Sequence, residues 1–173
     1  MRILLSLLAT CLALQLSAQT DFSKKFVPKW ERSIEYTVEV LEDMPEDYYS
    51  FKPVEEVRTF QEQAIHLIKN FKGLQKYITG NEECALDSLS LEDLSKEEVI
   101  DAFKQAGDFI RELAESQTKK NLKKPATDFF KKDVTITKEG IFWLLKDHLA
   151  HHRGQMIIYL RINGIKPPRY RGW

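Results

Sequence analysis

Ile141-Phe142-Trp143-Leu144-Leu145-Lys146-Asp147-His148-Leu149-Ala150-His151-His152-Arg153-Gly154-Gln155 spaces its apolar residues at the period of a helix, not of a strand. His148 and His152 stand four apart within it, so a helix stacks their imidazoles on one face. Ile141, Leu144, Leu145, Gln155 and Tyr159 share that face, which makes it the stripe expected to turn toward a core. Two stacked histidines aimed into an apolar interior point to a shared divalent metal. His66, far upstream, raises the supply to three nitrogen ligands.

Working outward, three further helices are predicted. The first begins near Pro28, suited to a first helical position, and carries Trp30, Ile34, Thr37, Val38 and Leu41 before stopping ahead of Met44-Pro45. An irregular stretch from Pro45 to Pro53 follows, its aromatics expected to pack on the bundle end. Thr59-Phe60-Gln61-Glu62 is a capping box that opens the second helix, with Phe60, Ala64, Leu67, Phe71, Leu74 and Ile78 on its apolar face and Gly80 closing it. Ser95-Lys96-Glu97-Glu98 opens the third in the same way, over Val99, Phe103, Ala106, Ile110 and Leu113. A basic stretch from Asn121 to Ile136, with Lys123, Lys124, Lys131 and Lys132, reads as a structureless loop. Thr137 caps the fourth helix, which runs to Asn163-Gly164 and is stopped by Pro167-Pro168. With no repeat and no convincing strand, the pattern is an all-α four-helix bundle. His66 falls in its second helix and the His148/His152 pair in its fourth, and bundle cores between facing helices are where such folds build metal sites.

Residues 1–18 stand apart from this domain. Arg2 precedes a nearly unbroken apolar run from Ile3 to Leu16, and Ser17-Ala18-Gln19 suits signal peptidase, so a secretory signal is expected. The run is too short for a comfortable membrane span. The reading is therefore an exported protein, periplasmic or extracellular, with one domain over residues 19–173 and no transmembrane span once the signal is removed. That segment takes with it one of 26 basic residues and none of the 26 acidic ones, leaving a net charge of −1. Nothing in that balance asks for nucleic acid. Cys84 is the single cysteine after the signal, so no internal disulfide is expected, and it reads as an incidental thiol in a loop.

His66, His148 and His152 are the predicted ligands of Zn²⁺, Ni²⁺ or a related ion. Three neutral imidazoles leave a coordination position open to water or substrate, as a catalytic site requires. His151 and Gln155 are expected beside the ligands, where they orient a ring or a bound water. Glu62, one turn before His66, is a candidate for the same task. Arg153 reads as a structural ion-pair partner, Gly154 as a close-packing position, and Trp143 as a second apolar contact, with a dimer partner or with the tail Tyr170-Arg171-Gly172-Trp173. Between His148 and His152 lie Leu149, Ala150 and His151, so the His-Glu-x-x-His base of zinc peptidases is absent. No residue is assigned to catalysis.

The segment from His148 to Gln155, with Leu160-Arg161-Ile162-Asn163-Gly164-Ile165-Lys166-Pro167-Pro168, resembles the last helix and tail of the DinB-like superfamily. Phe51-Lys52-Pro53, Val57-Arg58-Thr59-Phe60 and His66 are similar to that family's entry into its second helix. The resemblance covers about residues 26 to 170. It implies a four-helix bundle holding a divalent metal on three histidines, matching His66, His148 and His152. It also implies kinship with metal-dependent thiol S-transferases that use mycothiol or bacillithiol and with a mycothiol-dependent maleylpyruvate isomerase, and dimers in some members. The export signal is a departure, because low-molecular-weight thiol cofactors are mainly cytoplasmic. The expectation is an exported metal-dependent enzyme acting on a small molecule, a thiol S-transferase or a small hydrolase. The alternative is a non-catalytic envelope protein that binds a metal or small ligand.

Overall fold

The computed structural model describes residues 20–126, 129 and 135–171. The expected signal at 1–18, Lys131, Lys132 and Trp173 lie outside them. Four long helices account for most of the rest.

Helix α1, Asp21–Asp43, starts two turns earlier than Pro28 predicts. Thr20 caps it, its hydroxyl oxygen accepting from the Ser23 amide at 3.1 Å, and Pro28 sits inside the helix. An interior proline costs about 3 kcal/mol. Against this, the extra turns bury Phe22 and Phe26, whose rings meet Phe142 at 5.2 and 5.3 Å. Burying a phenylalanine side chain yields roughly 1.5–3 kcal/mol, so two of them outweigh the proline.

Helix α2, Phe60–Thr79, opens on the predicted capping box. The Glu62 carboxylate accepts from the Thr59 amide at 2.7 Å, so Glu62 serves the cap and does not orient His66. Gly80 ends the helix at φ +79°, a left-handed conformation that costs glycine nothing. Helix α3, Lys96–Glu115, opens on the second capping box, Ser95 with Glu98. The basic stretch is more ordered at its ends than predicted. Its first residues belong to a single helical turn, α4, Lys119–Leu122, and it is pinned by a bridge between Pro125 and Thr137. There the Ala126 amide donates to Ile136 O at 2.8 Å and the Lys138 amide to Lys124 O at 3.0 Å. Thr137 caps α5, Lys138–Ile162, as expected.

Helices α1 and α2 each pack on α3 and α5, so α1 faces α2 across one diagonal and α3 faces α5 across the other. Side-chain pairings fix the directions. Phe22 with Phe142 and Ser33 with Arg153 run α1 parallel to α5; Gln63 with Tyr159 and His66 with His148 run α2 antiparallel to α5. Lys104 with Glu42 and Trp30 with Gly107 set α3 antiparallel to α1. The bundle is thus up, down, down, up. Parallel neighbours cannot be joined by a tight turn, which explains the long connection from Gly80 to Ser95 between α2 and α3.

Trp30, Phe26, Phe60, Phe71, Phe103 and Phe142 fill the centre, fully buried. The Trp30 indole donates to Gly107 O at 2.8 Å. Gly107 is the close-packing glycine: a Cβ there would meet Ile34 Cδ1 at 2.9 Å. Gly154, predicted for that role, is exposed and has nothing within 4 Å of where its Cβ would stand. Tyr49 tucks under the bundle end as expected, its hydroxyl donating to Leu41 O at 2.9 Å. No described helix is long and apolar enough to cross a membrane.

Candidate metal centre

The antiparallel packing of α2 on α5 brings His66 against the His148/His152 pair. Ring centroids lie 5.2 Å apart for His66 and His148, 4.6 Å for His66 and His152, and 4.4 Å for His148 and His152. One nitrogen from each ring lies within 4.8 Å of the other two, a spacing that can hold a metal ion. The predicted ligand residues are therefore assembled from sequence positions more than eighty apart.

The cluster sits at a shoulder of the core. The buried face of α5 runs through Leu145, Leu149, His152 and Met156, so His152 is buried, whereas Leu144 and His148 are only half-buried at its edge. His66 is half-buried too. A site at the seam between two helices is open to a small ligand in a way that a central one is not.

Electrostatics prepare the rings for a cation. Burial, then the neighbouring His148, His66, His151 and Arg58, push His152 down to about 3. Burial, then Arg58 and His148, lowers His66; burial, then His151 and Arg58, lowers His148. Neutral imidazoles offer lone pairs, which is the state a metal requires. Among the described residues, the charges named as acting on the three rings are histidines and Arg58, with no carboxylate.

Hydrogen bonds also favour ligation. His152 Nε2 and His148 Nε2 face each other at 2.9 Å, while His152 Nδ1 is bonded to Gln63 Oε1 at 2.6 Å. One nitrogen of His152 is thus committed to the protein and the other to the cluster, the arrangement that orients metal-bound histidines. Among the described residues, His148 Nδ1 and Asn70 Oδ1 are buried without a hydrogen-bond partner. The donor set fits a divalent ion.

Gln63 is the candidate site residue that the sequence reading missed. It is buried on α2, one turn before His66, and it donates to Gln155 Oε1 at 2.7 Å and to the Tyr159 hydroxyl at 3.2 Å. A glutamine on the apolar stripe of Phe60, Ala64 and Leu67 was the available signal. Gln155 accepts from Gln63 rather than from a ring of the His66, His148 and His152 cluster, and its amide meets His151 Nε2 at 2.8 Å. His151 itself is exposed, with its ring 4.9 Å from that of His152.

The remaining predicted roles shift. Arg153 pairs with no carboxylate among the described residues; it donates to Ser33 O at 3.1 Å and lies 4.6 Å over the Tyr36 ring, fastening α5 to α1. Trp143 packs edge-on against Phe22 and Phe26, while Tyr170 of the tail reaches Tyr36. Cys84 is half-buried in the α2–α3 connection, outside the histidine cluster. A cavity of about 680 Å³ between the start of α1 and α4, floored by Phe22, Leu122 and Trp143, is lined by none of the histidines.

Comparison with known proteins agrees with this fold. The DinB superfamily model matches residues 29–156, a span that contains all three histidines. A DinB-like protein from Bacillus subtilis superimposes with a TM-score of 0.69 at 20% identity, covering 86% of this chain and 99% of its own. One from Bacillus cereus gives 0.67 at 20% identity, covering 84% and 95%. At such identities the likeness is one of fold. No curated protein matches the sequence. Because the family model covers most of its length, the chain belongs to the DinB superfamily.

Proposed function

We propose that the protein is an exported, divalent-metal-dependent enzyme that activates a small thiol or water for attack on an electrophile, with His66, His148 and His152 as the ligands. The observation that carries this reading is the convergence of three neutral imidazole nitrogens at an edge of the core. A bound ion supplies Lewis acidity there, lowering the proton affinity of a coordinated thiol or water.

The surrounding residues favour the thiol. Among the described residues no carboxylate joins the three rings to take a proton from water, and His151 Nε2 is already engaged by Gln155. A thiol ionises near pH 8.5 unaided, so it needs far less help than water. Its proton leaves to solvent, its sulfur forms the new bond to carbon, and the electrophile's leaving group departs with the electron pair of the bond that breaks, as chloride from an aryl chloride. The exposed Arg58 guanidinium, whose charge reaches all three rings, draws an anionic reactant toward them. A homodimer, and zinc or nickel as the ion, belong to the same proposal.

Elemental analysis of untagged protein purified without chelator tests the site. Near one divalent ion per chain is expected, with sharp loss in each of His66→Ala, His148→Ala and His152→Ala. Full occupancy in all three variants would remove these residues as ligands. Turnover of low-molecular-weight thiols with an aryl chloride then tests the chemistry. Metal bound without any turnover would favour the alternative, a non-catalytic metal-binding envelope protein.

A further inference from the structure

We propose that Gln63 makes His152 a metal ligand by fixing which of its ring nitrogens carries the proton. The inference rests on the three-histidine reading above and adds to it the residue that sets the site's polarity.

The argument follows the direction of a hydrogen-bond chain whose far end cannot be reversed. A backbone carbonyl only accepts, so the Tyr159 hydroxyl, 2.9 Å from Arg58 O, must spend its single proton there. The Tyr159 oxygen is then an acceptor toward Gln63, and at 3.2 Å it must face the Gln63 NH₂. That orientation puts Gln63 Oε1 against His152 Nδ1 at 2.6 Å. An amide oxygen cannot donate, so Nδ1 carries the proton. A neutral imidazole has only one, which leaves Nε2 of His152 as a lone pair pointing into the cluster.

Other bonds agree. The second Gln63 N–H meets Gln155 Oε1 at 2.7 Å, so Gln155 presents its own NH₂ to His151 Nε2 at 2.8 Å. The 2.9 Å contact between His152 Nε2 and His148 Nε2 then needs its proton from His148. His148 Nδ1 is left without a proton, consistent with a buried nitrogen that donates to nothing among the described residues. Gln63 is 1% exposed, so water does not compete for these bonds. In the metal-free protein His152 is a formed ligand, whereas His148 must move its proton off Nε2 before it can bind. The two histidines of the pair are therefore unequal, and Gln63 is the positioning residue that makes them so.

The test uses the full chain stripped of metal, with Zn²⁺ alone as the probe. Ring ¹⁵N shifts report the tautomer of His152, and competition with a chelating dye reports affinity. Wild type is expected to show Nδ1–H at His152. Gln63→Leu should mix the tautomers and weaken Zn²⁺ binding by roughly 10–100-fold, the usual effect of losing a group that orients a metal-bound histidine. Gln63→Glu still accepts from Nδ1–H and should keep both the tautomer and the affinity. Tyr159→Phe removes the acceptor that orients the amide, and it should mix the tautomers without touching the metal site. That variant decides the matter should Gln63→Leu fail to fold. Unchanged His152 shifts in Gln63→Leu or in Tyr159→Phe would overturn the proposal, as would equal loss of affinity in Gln63→Leu and Gln63→Glu. Wild type that shows Nδ1–H yet binds no Zn²⁺ would instead defeat the metal reading and leave the tautomer assignment standing.

Discussion

Burial at the α2–α5 seam has a measurable consequence for single residues. His66, His148 and His152 all bind protons more weakly in the folded chain than their ordinary value of 6.5. Below that value the unfolded chain takes up more protons than the folded one, so acid favours unfolding. Stability contributed by these neutral rings is complete above about pH 6.5 and is lost as pH falls toward the folded-state values, with His152 the last to charge. Metal-free protein is therefore expected to melt several degrees lower at pH 5 than at pH 7.5, on the order of the 2–4 °C per kcal/mol typical of a domain this size. Replacing His152 by Gln should flatten that dependence. A melting temperature that does not change between those pH values would show that the rings are not held neutral by the fold.

Among the helices, the positions where backbones touch differ from those the sequence marks most visibly. Gly107 on α3 lies under Ile34 of α1, with Trp30 bonded to its carbonyl, so added volume there must displace a packed side chain. Gly107→Val is expected to destabilise by about 1–3 kcal/mol, as overpacking does. Gly154 lies on the open face of α5, where a methyl group meets nothing. Gly154→Ala should stabilise by roughly 0.5–1 kcal/mol through helix propensity. Urea denaturation of both variants checks the pair, and equal effects would contradict the assigned packing. The capping boxes at Thr59 and Ser95 were legible because their bonds are local, three residues apart. Pro28 misled for the opposite reason: what extends α1 past it is contact between Phe22 and Phe26 and a helix more than a hundred residues later.

Across the whole molecule, the cluster ties α2 to α5, with His66 the single ligand residue that α2 provides. A bound ion acts as a staple between them and stabilises only the folded state. At a free concentration one hundred times its dissociation constant, an ion adds about 2.7 kcal/mol. Zn²⁺ titration should therefore raise the melting temperature by on the order of 5–10 °C in wild type. In His66→Ala the rise should disappear, because the remaining pair sits on one helix and cross-links nothing. A rise of the same size in that variant, followed by scanning calorimetry, would place the ion elsewhere.

Helical period, two capping boxes and the glycine stop at Gly80 are short-range properties, and the sequence alone determined from them an all-α bundle with its histidines on two helices. The i, i+4 spacing likewise determined that His148 and His152 stack. The order of helices around the bundle was beyond it, since whether α2 neighbours α1 or lies across the diagonal depends on which apolar faces mate. So was the position of the cluster at an edge of the core, the transfer of close packing from Gly154 to Gly107, and the cation-on-ring partner of Arg153 in place of a carboxylate. Gln63 belongs with these. A glutamine among apolar residues acquires a role only when the tertiary fold places Tyr159, Gln155 and His152 around its amide, and that directional network fixes a proton that sequence spacing cannot locate.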